Sequence, residues 1–176
     1  GHAEQLIATR LRERREPLVV ATKFGRRAEL RLSNYSYENL RSWLERSREN
    51  LGVDVVDLVQ LHCPPFQVYY MPEVFGRLDD LVAAGKIRRY GVSVQKVEEG
   101  LKAIEYPGVA SVQIIYNIFR QRPAKLFFRE ARRKGVAVIV RVPLSSGMLA
   151  GKMTKETKFG SDDHRNFNRE GGSFDK

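Results

Sequence analysis

Apolar residues along the chain fall into two alternating kinds of run. Short, nearly continuous runs rich in β-branched residues occupy 18–22 (LVVAT), 55–62 (VVDLVQLH), 90–94 (YGVSV), 109–116 (VASVQIIY) and 136–142 (VAVIVRV). Runs of that kind predict strands buried on both faces, hence a parallel sheet. Between them, apolar positions recur at the three- and four-residue spacing of a helix with one face toward a core. Leu6, Ile7 and Leu11 predict the first such face. Leu40, Trp43, Leu44 and Leu51 predict the second, with Ser36 as its N-cap. Val74, Phe75, Leu78, Leu81 and Val82 predict the third, and Val97, Leu101 and Ile104 the fourth. Leu126, Phe127 and Ala131 predict a fifth helix, opened by Pro123 near its first turn. Gly52, Gly85 and Gly135 stand where three of these helices end and the next strand begins, the place for a left-handed C-cap. Helix, glycine, strand in repetition predicts α/β architecture in a single domain over 1–176. From 151 to 176 the period is lost, and a long polar loop or tail is expected there.

Composition and charge trim the partners. The net charge is +10, from 31 Lys and Arg against 21 Asp and Glu. The cations are scattered, with short clusters at Arg26-Arg27, Arg88-Arg89 and Arg132-Arg133-Lys134. They do not alternate with aromatic residues, so they read as solvated helix faces and loop ends, and no nucleic-acid partner is expected. No apolar run approaches the roughly 20 residues that span a bilayer, so no membrane partner is expected either. The first residues lack the basic and apolar regions of a signal peptide. The single cysteine, Cys63, excludes an internal disulfide and suits a reducing, cytoplasmic setting.

Several conspicuous residues have ordinary roles in this frame. Cys63 reads as a small buried filler and Trp43 as helix packing. Asp57 is expected to pair with a cation at a strand start. His2 and His164 sit in polar segments without ligand spacing, so no metal site is expected. Met148, Leu149 and Phe159 are expected either to line a mouth or to pack the long loop.

Five strands with intervening helices fit an open doubly wound sheet or a (β/α)₈ barrel. The turn after LVVAT is KFGRRAEL, which lacks the G-x-G-x-x-G of a dinucleotide-binding first turn. Parallel α/β proteins keep their sites at the C-terminal ends of strands. Those ends here carry Lys23, His62, Ser93, the Gln113 to Asn117 segment, and Arg141. Taken singly, Lys23 is a snorkelling edge cation, His62 a satisfied core histidine, Ser93 a strand cap, Gln113 a satisfied amide and Arg141 a rim charge. All five falling at successive strand ends, where a barrel would bring them together, favours a site.

The stretches LVVATKFG, VVDLVQLHCPP, GKIRRYGVSV, VQIIYNIF and RVPLSSGMLAGK together resemble the aldo-keto reductase family. The tail DHRNFNREGGSFD is similar to its bacterial branch. The resemblance implies a (β/α)₈ barrel, present here as strands three to seven, lacking the first two strands and the C-terminal strand and helices. It implies reduction of a small aldehyde or ketone with a nicotinamide cofactor, usually NADPH. The family uses Asp, Tyr, Lys and His; Lys23 and His62 match the last two. Ser93 and Gln113 match positions that hold the nicotinamide carboxamide, and Arg141 one that lies against the ring. Val142, Pro143, Leu144, Ser145 and Ser146 match the backbone lining the pyrophosphate, and Lys152 a cation near the phosphates. Val94 stands where much of the family has Asn or Arg. The resemblance places the family's Asp and Tyr before Gly1, so the piece by itself is expected to be catalytically incomplete and marginally stable. A nicotinamide-sensing regulatory subunit on the same fold, like the potassium-channel β subunits, is the second reading. A phosphate-binding barrel of another kind is the third.

Overall fold

The computed structural model describes residues 1–14, 16–163, 165 and 166. Among the described residues five strands form one sheet: β1 (Ala21–Phe24), β2 (Val56–His62), β3 (Ile87–Ser93), β4 (Val109–Ile115) and β5 (Ala137–Arg141). All neighbours are parallel and the spatial order is the chain order, β1-β2-β3-β4-β5. A doubly wound sheet reverses its strand order part-way, whereas a barrel adds each strand beside the last. The sheet is therefore an incomplete (β/α)₈ barrel, as the resemblance implies.

Helix α1 (His2–Glu13) precedes β1, and α2 (Tyr37–Leu51), α3 (Pro72–Ala83), α4 (Val97–Ala103), α5 (Arg122–Lys125) and α6 (Phe127–Arg133) lie between the strands. Ser36 caps α2, its hydroxyl accepting from the Asn39 amide at 3.2 Å. Gly52 ends that helix in the left-handed region at φ 67°. The single helix expected after Pro123 is two, because Leu126 at φ −137° interrupts it. The first strand starts at Ala21 rather than residue 18. Val19 is 83% exposed, so its apolar side chain has no face to bury against.

The first helix corrects its expected face. Leu6 and Ile7 are exposed, and α1 turns Glu4 and Ala8 inward, with Leu11 partly buried. The reason is polar. The Glu4 carboxylate accepts from the Thr22 hydroxyl at 2.6 Å, the Ser47 hydroxyl at 2.8 Å, the Asn50 amide at 2.9 Å and the Gly1 amine. Burial opposes its charge, but these donors outweigh burial and lower its pKa to about 2.

Residue alternation divides the sheet into two faces. Thr22, Phe24, Val59, Leu61, Tyr90, Val92, Val112 and Ile114 meet the helices. There Trp43 sits edge-on to Phe24 and Tyr35, and Phe75 stacks on Tyr106 at 3.8 Å. The opposite face carries Lys23, Leu58, Gln60, His62, Gly91, Ser93, Ser111, Gln113 and Ile139, the residues in register with one another on the barrel's interior side. Gly91 is required there: a Cβ would lie 2.3 Å from the Ser111 carbonyl oxygen. That gap lets the Gln60 amide donate to the Ser111 hydroxyl at 3.4 Å.

Candidate active site

The strands deliver their last inward residues to one end of the sheet. Lys23 pairs in register with Gln60, His62 with Ser93, Ser93 with Gln113, and Ile115 with Arg141. His62 ends β2 because Pro64 and Pro65 cannot continue it. Between them Cys63 turns the chain with φ +46°. Positive φ in a residue with a Cβ is uncommon, and Val142, directly after Arg141, has it too at +54°. Strained turns thus follow β2 and β5, two of the three strands that carry an ionisable residue into this end.

Arg141 reaches across β4 to Ser93. Its Nη1 donates to the Ser93 hydroxyl at 3.2 Å and to the Cys63 sulfur at 3.5 Å. Ser93 is fully buried. Cys63 is buried as expected, and its thiol also lies 3.6 Å from the Ser93 hydroxyl. Gln113 is half-buried beside Ser93. Val94, fully buried among the core residues, offers no polar group.

Electrostatically this end is cationic. Burial, then the charges of Lys23, Arg26 and Arg141, lower the His62 pKa to about 4. His62 is therefore a neutral imidazole at neutral pH. Burial and then Arg141 lower the pKa of Lys23 as well. Arg26 was not among the residues singled out from the sequence. Its Nε donates to the His62 carbonyl at 3.3 Å, and only the turn after β1 brings it there. Asn117 closes the Gln113 to Asn117 segment singled out at the strand ends, and its buried amide donates to the Val142 carbonyl at 3.0 Å.

Beyond Arg141 the chain enters a run of left-handed residues. Ser145 and Ser146 have φ 49° and 55°, and Gly147 has φ 96°. Pro143 and Leu144 lie on its exposed side, and Lys152 is exposed after the turn that closes at Gly151. Met148 and Leu149 are exposed. Phe159 carries the Arg165 guanidinium 4.0 Å over its ring. His164 and most of the DHRNFNREGGSFD stretch lie outside the described residues.

The Tyr35 and Tyr69 hydroxyls are buried without a hydrogen-bond partner among the described residues. Burial pushes Tyr35 up to about 12, and Tyr69 is raised further in the same way. Asp57 pairs with Arg88 at 2.9 Å at the opposite end of β2. Among the described residues no cluster of His, Cys, Asp and Glu could hold a metal ion, and no helix is long and apolar enough to cross a membrane.

The aldo/keto reductase family model matches residues 1–175. The chain belongs to the aldo/keto reductase family. It is 27% identical over 172 residues to the aldo-keto reductase YhdN of Bacillus subtilis, covering 94% of this chain and 51% of that protein. It is 26% identical to an NADH-specific methylglyoxal reductase of Escherichia coli, over 89% of this chain and 52% of that one. The solved glycerol dehydrogenase of Gluconobacter oxydans superposes with a TM-score of 0.77 at 28% identity, over 95% of this chain and 53% of that structure. The chain thus spans about half the length of the relatives it matches. Members of the family are oxidoreductases that work with a nicotinamide cofactor, and this chain carries the middle of their barrel.

Proposed function

We propose that the whole protein reduces a small aldehyde or ketone with NADPH, and that Lys23 and His62 act at the reacting carbonyl. The observation that carries this is their placement. Two ionisable residues from adjacent strands end on one face of the sheet, close enough for the Lys23 charge to depress His62.

The donor set fits a nicotinamide dinucleotide. Ser93 and Gln113 stand side by side in register, a hydroxyl now covered by Arg141 and a half-buried amide, the pair that would complement a carboxamide. Arg141 would lie against the ring. The Val142–Ser146 segment offers two serine hydroxyls and left-handed backbone to a diphosphate, with Lys152 as a nearby cation. Bound there, the cofactor supplies the hydride.

The protein's share is geometry and protons. His62, being neutral, keeps an N–H to donate to the substrate carbonyl oxygen and fixes its direction. Lys23 places an ammonium beside the proton donor. A cation there lowers the pKa of a phenol from its usual value near 10 toward the working range. Tyr35 and Tyr69 are shifted the other way; the phenol in this proposal is the family's tyrosine, which the resemblance puts ahead of Gly1.

Relatives differ in coenzyme: the Escherichia coli protein is named NADH-specific, whereas a Schizosaccharomyces pombe aldo-keto reductase, 28% identical over 159 residues, is named for NADP(+). Steady-state oxidation of NADPH and NADH by the full-length protein with a panel of aldehydes tests the proposal. NADPH is expected to be the better substrate, and no turnover with either coenzyme would refute the reading.

A further inference from the structure

Asn117 follows β4 and is 8% exposed. All of its amide is used on backbone. Its Oδ1 accepts from the Phe119 N–H at 2.9 Å and the Arg120 N–H at 3.1 Å, shaping a tight turn. Its Nδ2 donates to the Val142 carbonyl at 3.0 Å, on the neighbouring strand's exit. The Asn117 and Arg120 main chains also pair with each other, so the asparagine itself has little room to move.

Val142 is the weak point it holds. A β-branched residue at φ +54° is strained and keeps that shape only where surrounding bonds over-determine it. The Val142 carbonyl has two such bonds, from Asn117 Nδ2 and from the Ser145 N–H at 3.1 Å. Ser145, Ser146 and Gly147 then follow in left-handed conformations, with the Ser145 and Gly147 N–H groups closed back onto the Val142 and Leu144 carbonyls at 3.1 and 3.0 Å, a tight turn that sets the direction of the two half-buried serine side chains.

We propose that Asn117 is a positioning residue for the cofactor's diphosphate: by holding the Val142 carbonyl it keeps the Val142–Ser146 loop in its receptive shape. The inference rests on the nicotinamide reading above. Asn117 touches neither cofactor nor substrate; it acts through Val142. Removing its Nδ2–H lets Val142 relax to negative φ and dissolves the left-handed run. If strain at Val142 is what Asn117 restrains, a glycine at that position needs no restraint, because glycine adopts positive φ at no steric cost.

The test uses the full-length protein and NADPH, with fluorescence titration for Kd, steady-state kinetics and thermal melting. Asn117→Asp keeps the acceptor for the turn and loses the donor to Val142. It is expected to raise the Kd and KM for NADPH by about tenfold, with kcat changing far less. Adding Val142→Gly to that variant is expected to restore most of the affinity. Should Asn117→Asp not fold, Asn117→Ser keeps an acceptor for the turn and reads the same Kd. An unchanged Kd in a folded variant would overturn the proposal. So would a weakened Kd that Val142→Gly fails to rescue, since that is the mark of general destabilisation. If the unaltered protein binds neither NADPH nor NADH, the nicotinamide reading itself has failed, and the wild-type titration shows this before any variant is made.

Discussion

His62 loses its proton well below the usual histidine range, because burial and three cations disfavour the imidazolium. Its folded pKa of about 4 lies under the ordinary 6.5. The unfolded chain then binds more protons between these values, so His62's contribution to stability is present above pH 6.5 and lost as pH falls toward 4. NMR titration of the full-length protein should show no His62 charging between pH 5 and 8, and kcat/KM should show no His62 inflection there. Arg26→Gln removes one of the cations and is expected to move the His62 pKa upward; an unchanged titration would mean that solvent already screens Arg26. For Lys23, replacement by Met should lower kcat by about 10²–10⁴-fold while NADPH still binds. Lys23, His62, Ser93 and Arg141 were legible because each is a polar residue closing an apolar run. Arg26, the bond from Asn117 to Val142 and the positive φ of Cys63 and Val142 were not, because they depend on how the chain turns after a strand, and no periodicity records that.

Among elements, the strands and most helices follow from apolar spacing, and α1 shows where spacing misleads. Leu6 and Ile7 advertise an apolar face, yet the helix is oriented by the carboxylate of Glu4 between β1 and α2. One buried, charge-assisted network outweighs two leucine-sized side chains whose packing partners are not supplied by these elements. Glu4→Gln should therefore cost roughly 1.5–3 kcal/mol in urea unfolding at pH 7. Because the Glu4 pKa is depressed to about 2 from 4.5, its stabilisation is present above pH 4.5 and lost as pH falls toward 2. The difference between variant and wild type should accordingly shrink at pH 3. Gly91→Ala is argued from contact rather than charge. The new methyl meets Ser111 main chain, which cannot swing away as a side chain could, so β3 and β4 must part. A loss of about 1–3 kcal/mol is expected, with the Gln60–Ser111 bond broken. A neutral Gly91→Ala would show that the sheet is softer there than its register implies.

At the scale of the molecule, sequential order of five parallel strands makes the sheet part of a barrel, and the interior face is where the candidate site lies. That order could not be read from the strands themselves, since open and closed α/β sheets share one hydrophobic pattern; the strand-end residues tipped the balance. The described residues leave Leu6, Leu18 and Val19 exposed beside β1 and Val140 and Leu144 exposed beside β5. Apolar sheet edges of this kind associate when left uncovered. The 176-residue piece expressed alone is expected to bind a hydrophobic dye more strongly than the full-length protein does. The central claim is hydride transfer to a carbonyl at the end of β1 and β2. Its most direct test is label transfer from NADPH deuterated at the nicotinamide C4, with mass spectrometry of the alcohol formed by the full-length protein and its Lys23→Met variant. Deuterated alcohol from the wild type, and far less of it from the variant in the same time, is the predicted result. Tight coenzyme binding with no labelled alcohol, or equal amounts of labelled alcohol from both proteins, would contradict it.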